Sequence, residues 1–216
     1  MSETNDQVQG QSADAPSARV AAEARPASVH PEGHRPAGER PAGERPAARK
    51  PAAPPDPRVE AAKETAARIG AVIAQALGEA AVEETGAAHR TPMVRVRKQD
   101  WLAAVSLLKD HPDWRLNYVE CMAGTDYPEY IEIALYVQST SQGHFVCLKT
   151  RTDRQDAEVP SLVPCHPGVN WEEREIYDLL GVRFTGHPDL RRIMLWEGFA
   201  GHPLRKDYSE WGEGST

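Results

Sequence analysis

The sequence predicts an α+β domain: a mainly antiparallel sheet packed with helices, followed by an irregular C-terminal strap and preceded by a disordered N-terminal tail. Three observations predict it. Ile131, Ile133, Leu135 and Val137 alternate as a strand with one buried face does, and residues 139–143 supply the turn into a second strand over 144–150. Val59, Ala62, Ala66, Ile69, Ile73 and Leu77 instead recur at helical spacing. Every Trp, Tyr and Phe of the 216 residues lies at or beyond Trp101, so the core belongs to the second half of the chain.

Residues 1–57 hold ten of the eighteen prolines and no aromatic residue, and include the direct repeat RPAGE over 35–44. Such a segment buries too little apolar surface to offset chain entropy, so it is expected to be a disordered tail. It has no apolar run suited to a signal peptide or membrane span, and its acidic residues argue against a transit peptide. The net charge of -7 argues against nucleic-acid binding. Cys121, Cys147 and Cys165 are odd in number and widely separated; they are expected to be core or near-core thiols of a reducing compartment, with neither a disulfide framework nor a metal motif.

In the domain over 58–216, the first helix runs from Val59 to its stop at Gly78. Residues 80–97 form a hairpin, since Val82 and the alternating run 93–97 flank a turn containing Gly86 and Pro92, with the Arg residues facing water. Asp100 caps a second helix through Lys109, stopped by Pro112. A short strand over 116–122 precedes the hairpin of 130–138 and 144–150. A loop with Pro160, Pro164 and Pro167 then leads to a third helix.

That helix is the most specific local signal. Asn170 is expected to cap it, with Glu173 completing a capping box, and Gly181 to end it in the left-handed conformation. At about 100° per residue Ile176, Leu179 and Leu180 share the core-facing side, together with Glu173. A carboxyl there is expected to have a raised pKa unless Arg or backbone N–H groups satisfy it. Trp171, Arg174, Glu175 and Asp178 recur on the other side, and an aromatic ring among charges suits a partner surface better than open water. Residues 182–184 extend briefly. From Thr185 onward no period survives, and the extended segment 183–216 exposes Leu190, Ile193, Met194, Leu195, Trp196, Phe199 and Leu204, which points to a partner that covers them.

The run Glu173-Arg174-Glu175, then Asp178-Leu179-Leu180, His187, Arg191, Ile193 and Met194 resembles the signature of the C subunit of NADH-quinone oxidoreductase, which belongs to the peripheral arm of respiratory complex I. The similarity continues through 201–208 and reaches back more loosely to Met93, departing from the common pattern at Ser209, where a proline is frequent. The resemblance implies a non-catalytic structural subunit on the cytoplasmic side of the bacterial plasma membrane, attached peripherally through its complex. It implies docking on the large quinone-site subunit, no cofactor on this chain, and NADH, FMN, iron-sulfur clusters and quinone used by the whole proton-translocating enzyme. The expected interface residues are Trp171, Arg174, Glu175, Asp178, His187, Asp189, Arg191, Arg192, His202, Arg205, Lys206 and Asp207.

A stand-alone soluble enzyme is the competing class. His144, His166, His187 and His202 have no metal-binding spacing, and no dinucleotide, Walker or nucleophile-elbow motif is present. Glu173 and Asp178 lie five residues apart, on different helix faces, and cannot act as an acid/base pair. Within the structural class, the small subunit of a related membrane-bound hydrogenase is the alternative.

Overall fold

The structure, a computed structural model, describes residues 56–209. The tail expected over 1–57 therefore lies, up to residue 55, outside the described residues. Helix α1 (Pro57–Leu77) opens with Pro57 at its first position and Asp56 as cap, whose carboxylate accepts the Arg58 amide at 3.0 Å. Its stripe Ala62, Ala66, Ile69 and Ile73 is buried as the periodicity requires. Strands β1 (Val82–Ala88) and β2 (Thr91–Val96) form the expected hairpin, but Gly86 and Pro92 lie inside the strands, opposite Met93 and Ala87. The turn is His89-Arg90, and His89 takes the left-handed conformation at φ 58°.

Helix α2 (Trp101–Asp110) follows, with His111 extended before Pro112. Asp100 does not cap it; the carboxylate accepts from Arg97 instead, at 2.8 Å. Strands β3 (Tyr118–Asp126), β4 (Tyr130–Gln138) and β5 (Phe145–Asp153) complete a five-stranded sheet of order β1-β2-β5-β4-β3. All its pairings are antiparallel except β2 with β5, which the long connection through α2, β3 and β4 makes parallel. A separate parallel pair joins β6 (Glu158–Pro160) to β7 (Arg183–Thr185), burying Val159 and Phe184. Helix α3 (Asn170–Leu180) lies between these two short strands in sequence.

One face of the sheet carries the core. Ile131, Ile133, Leu135 and Val137 of β4 and Val146 and Leu148 of β5 are fully buried with Ile69, Ile73, Leu108, Trp101 and Trp114. On the other face the cross-strand neighbours are polar and paired. Glu132 contacts Lys149 Nζ at 2.6 Å and Arg151 Nε at 3.1 Å, and Arg95 Nη1 lies 3.8 Å away. Arg95 also pairs with Glu84, so it is largely enclosed and does not face water as the alternation predicted. Burial pushes the Glu132 pKa up, but Lys149 and Arg151 outweigh this and hold it below its usual value. Cys147 and Cys165 are buried as expected, whereas Cys121 is exposed on the edge strand.

The strand expected over 116–122 runs later, to Asp126, because α3 packs against its second half. Gly124 permits that approach: a Cβ there would lie 2.5 Å from Leu180 Cδ1 and 3.1 Å from Ile176 Cγ2. Leu180→Ala is expected to destabilise the fold by about 2–5 kcal/mol, as a cavity at a buried leucine does. Gly124→Val should cost about 1–3 kcal/mol by overpacking the same contact. Denaturant unfolding of both variants checks this, and midpoints equal to that of the parent would show that α3 is not clamped to β3.

Candidate functional site

A 3-10 turn over Pro167–Val169 runs directly into α3, so Asn170 is already helical, at φ -50° and ψ -45°, and cannot cap. Glu173 does not reach back to form a capping box either. Its fully buried carboxylate accepts the Ser161 hydroxyl and the Leu162 amide, both at 2.6 Å. Burial outweighs these two donors and pushes its pKa up to about 7. Gly181 ends the helix at φ 73°, as expected, with its N–H on the Tyr177 carbonyl.

The residues after Gly186 wrap the C-terminal end of α3. Asp178 is fully buried, and one of its carboxylate oxygens accepts three consecutive amides, from Ile193, Met194 and Leu195, at 3.0, 2.7 and 2.9 Å. The other accepts Arg192 Nη1 at 2.6 Å. Burial raises the Asp178 pKa, but the amides and Arg192 prevail and hold it below the usual carboxylate value. Arg192 also donates through Nη2 to the carbonyls of Phe199 and Gly201, both at 3.1 Å, and so ties two further turns of the segment together.

A helix end leaves carbonyls without intrahelical partners, and here the strap supplies most of those partners. The Asp178 carbonyl accepts Arg192 Nη1 at 3.1 Å and His202 Nδ1 at 3.0 Å. Leu179 accepts the Leu204 amide at 3.1 Å, and Leu180 accepts Arg205 Nε at 2.6 Å. Cations at this end also favour the helix dipole. The far end of the strap is pinned to the sheet, where Asp126 receives Arg154 at 2.7 Å and the Lys206 amide at 2.8 Å while Arg154 reaches Asp207 at 2.8 Å. Near its start, His187 accepts the Asp189 amide at Nδ1, which places its proton on Nε2, 3.2 Å from the Asn170 carbonyl.

Half of the proposed interface residues are engaged within the chain itself. Arg174, Asp178, His187, Arg192, His202 and Arg205 direct their polar groups at the chain's own backbone and side chains, not outward. Arg174, for example, is nearly buried and donates to the Arg191 and Arg192 carbonyls. Trp171, Glu175, Asp189, Arg191, Lys206 and Asp207 are exposed, and Asp189 and Arg191 pair with each other at 2.9 Å. Among the described residues of α3 and the strap, the large apolar side chains that remain open are Trp171, Met194, Trp196 and Leu204, each 60–70% exposed. Trp196 is braced edge-on against Phe199, which stacks in turn on Tyr208. Sequence reasoning does not find Asp126 and Arg154; they stand 28 residues apart on different strand ends, and no local pattern marks them. Among the described residues no group of three or more His, Cys, Asp or Glu is placed to hold a metal.

Two expectations come from these carboxylates. Asp178→Asn leaves Arg192 without its anion in a largely enclosed position, a change that costs about 3–5 kcal/mol where a buried pair is broken. Limited proteolysis should then cut within residues 187–208 while circular dichroism of the domain is retained; uncut protein would show that the clamp is dispensable. Glu173 acts in the opposite sense. Its folded pKa of about 7 lies above the ordinary value of 4.5, so the folded state binds more protons and stability falls as pH rises from 4.5 to 7. Glu173→Gln should abolish that slope and gain roughly 3 kcal/mol over the parent at pH 8. Parallel stability–pH curves for the two proteins would contradict it.

Residues 94–213 match the family model of the respiratory-chain NADH dehydrogenase, 30 Kd subunit. The C subunit of the NADH-quinone oxidoreductase of Caulobacter sp. (strain K31) is 45% identical over 112 residues, covering 50% of this chain and 52% of that one. Its counterpart from Chlorobium phaeobacteroides is 42% identical over 111 residues, covering 50% and 67%. The chain thus spans between half and two thirds of the length of these relatives. A chain of the membrane-bound sulfane sulfur reductase, an archaeal respiratory membrane complex, shares the fold at a TM-score of 0.52 and 20% identity over 68% of this chain and 86% of its own. Since the family match takes in α3, the strap and the Asp126 pin, and covers more than half of the chain, this protein belongs to the 30 Kd subunit family of the respiratory-chain NADH dehydrogenase.

Proposed function

We propose that this chain is a non-catalytic structural subunit of the peripheral arm of a proton-translocating NADH-quinone oxidoreductase. It docks through its strap on the large quinone-site subunit, at the cytoplasmic face of the bacterial plasma membrane. In this reading NADH, FMN, the iron-sulfur clusters and quinone are handled by other subunits, and this chain binds none of them. The relatives named as C subunits of that oxidoreductase support the assignment to the complex. No helix among the described residues is long and apolar enough to cross a membrane, so the association would run through the complex.

The observation that carries the structural role is the combination of a fixed backbone with open side chains. Asp178 and the end of α3 hold the strap in one course, yet Met194, Trp196 and Leu204 project from it without cover. Their positions are set before any partner arrives, which lowers the ordering cost of association. Chemically the site is suited to holding and not to turnover: Asp178 has its acceptor positions filled, and Glu173 is enclosed by Ser161 and Leu162 with no route to a substrate.

Trp196→Ala combined with Met194→Ala should leave the thermal midpoint of the isolated protein unchanged. The loss of an aromatic anchor should weaken assembly by about 2 kcal/mol or more, roughly 30-fold in affinity. The check is the amount of large quinone-site subunit recovered with the tagged chain from membranes, together with NADH-to-quinone turnover per assembled enzyme. Reduced recovery with normal turnover per enzyme is the expected result. Full recovery with abolished quinone reduction would place the strap in the chemistry and overturn the structural role.

A further inference from the structure

A second surface, which shares Leu204 with the strap, lies along the open edge of the sheet. Among the described residues strand β3 pairs only with β4, and α3 packs against it. Between them is an apolar hollow of about 120 Å³ walled by Met122, Gly124, Ile176, Leu179, Leu180 and Leu204. Farther along the same edge a wider hollow of about 270 Å³ is lined by Asn117, Tyr118, His166 and Glu172. Neither hollow has a Lys or Arg in its wall.

Glu172 on α3 lines the wider hollow and Glu175 on α3 the apolar one, while Glu120 lies on β3 between Val119 of the first and Met122 of the second. Among the described residues none of them has an ion-pair partner, in contrast to Glu132, Asp126 and Asp178, each of which is matched by Arg or Lys. Their mutual proximity registers in the groups between them. The Cys121 thiol is pushed up by burial and then by Glu172 and Glu120, and Glu172 is pushed up by burial and by Glu175, against a lowering contribution from the Met122 amide.

We infer that this furrow receives a segment of a neighbouring subunit that inserts one aliphatic side chain into the hollow beside Leu179 and Leu204 and sets lysine or arginine side chains against Glu120, Glu172 and Glu175. The inference rests on the reading of this chain as an assembled subunit and adds the chemistry of what it holds. The apolar walls supply affinity for a buried anchor, and the unmatched negative rim selects a basic flank and disfavours an acidic one. The half-exposed ring of Tyr118 lines the wider hollow and can cover the stem of a basic side chain.

The test places the photoreactive residue p-benzoylphenylalanine at Leu179 in the full chain, expressed in its own membranes, with a second protein carrying it at Trp196 in the strap. Irradiation of the assembled complex followed by mass spectrometry should give an adduct from the Leu179 probe on a peptide of another subunit that carries Lys or Arg within a few residues of the attachment point. An adduct on an acidic or uncharged peptide overturns the inference. So does the absence of an adduct at Leu179 while the Trp196 probe reacts. Failure of both probes overturns the assembled-subunit reading itself, and this inference with it. As an independent arm, Glu175→Lys at an exposed position should leave the thermal midpoint unchanged and lower recovery of that neighbour roughly tenfold at low salt, with Glu175→Gln intermediate. Equal recovery with all three proteins also overturns it.

Discussion

The organisation of this protein depends on how the C-terminal end of α3 is satisfied. A helix that stops at Gly181 leaves the carbonyls of Asp178, Leu179 and Leu180 without helical partners. Here a segment with no regular structure fills them with Arg192, His202, the Leu204 amide and Arg205. The same turn of helix carries Asp178, whose side chain takes the amides of three successive strap residues. Helix end and strap are therefore each other's solution to the problem of buried backbone polar groups. An irregular segment can keep a defined course without a core of its own because its hydrogen bonds end on a rigid element.

The rest of the domain serves to hold that helix. The α3 stripe of Ile176 and Leu180 rests on β3 at Gly124, and Glu173 ties its first turn to the loop after β6. Asp126, at the end of β3, anchors the far end of the strap through Arg154 and the Lys206 amide. Charges inside this protein thus fall into two groups. Asp126, Glu132 and Asp178 are surrounded by cations and amides that hold their pKa values down, while Glu173 has only neutral donors and is pushed up by burial. The first group makes connections between elements that stay charged across the physiological range; in the second, burial of the charge costs stability as the group ionises.

Much of the fold can be read from the sequence because periodicity reports which face is buried. The stripe of α1, the alternation of β4 and the left-handed stop at Gly181 all follow from local rules. The parallel pairing of β2 with β5 and the β6–β7 pair cannot be read, since pairing between distant strands leaves no local trace. The charged face of α3 shows where periodicity stops being informative. It places Arg174 and Asp178 on one side with Trp171, and the presence of Trp171 points to a covering surface. What covers Arg174 and Asp178 is the chain's own strap, and the spacing of residues contains no information on which chain supplies a cover. Asn170 fails as a cap for a different reason: a 3-10 turn before it moves the helix entry back to Val169.

The central claim is that the strap is held by the chain itself and offers its apolar side chains already positioned. Hydrogen exchange at the amides of Ile193, Met194 and Leu195 in the isolated protein tests it most directly, because those three protons end on one oxygen of Asp178. The account predicts that all three are protected in the parent, in the absence of any partner, and that protection is lost together in Asp178→Asn. Exchange at the rate of an unstructured peptide in the parent protein would contradict it, and would mean that the strap acquires its course only within the assembled enzyme.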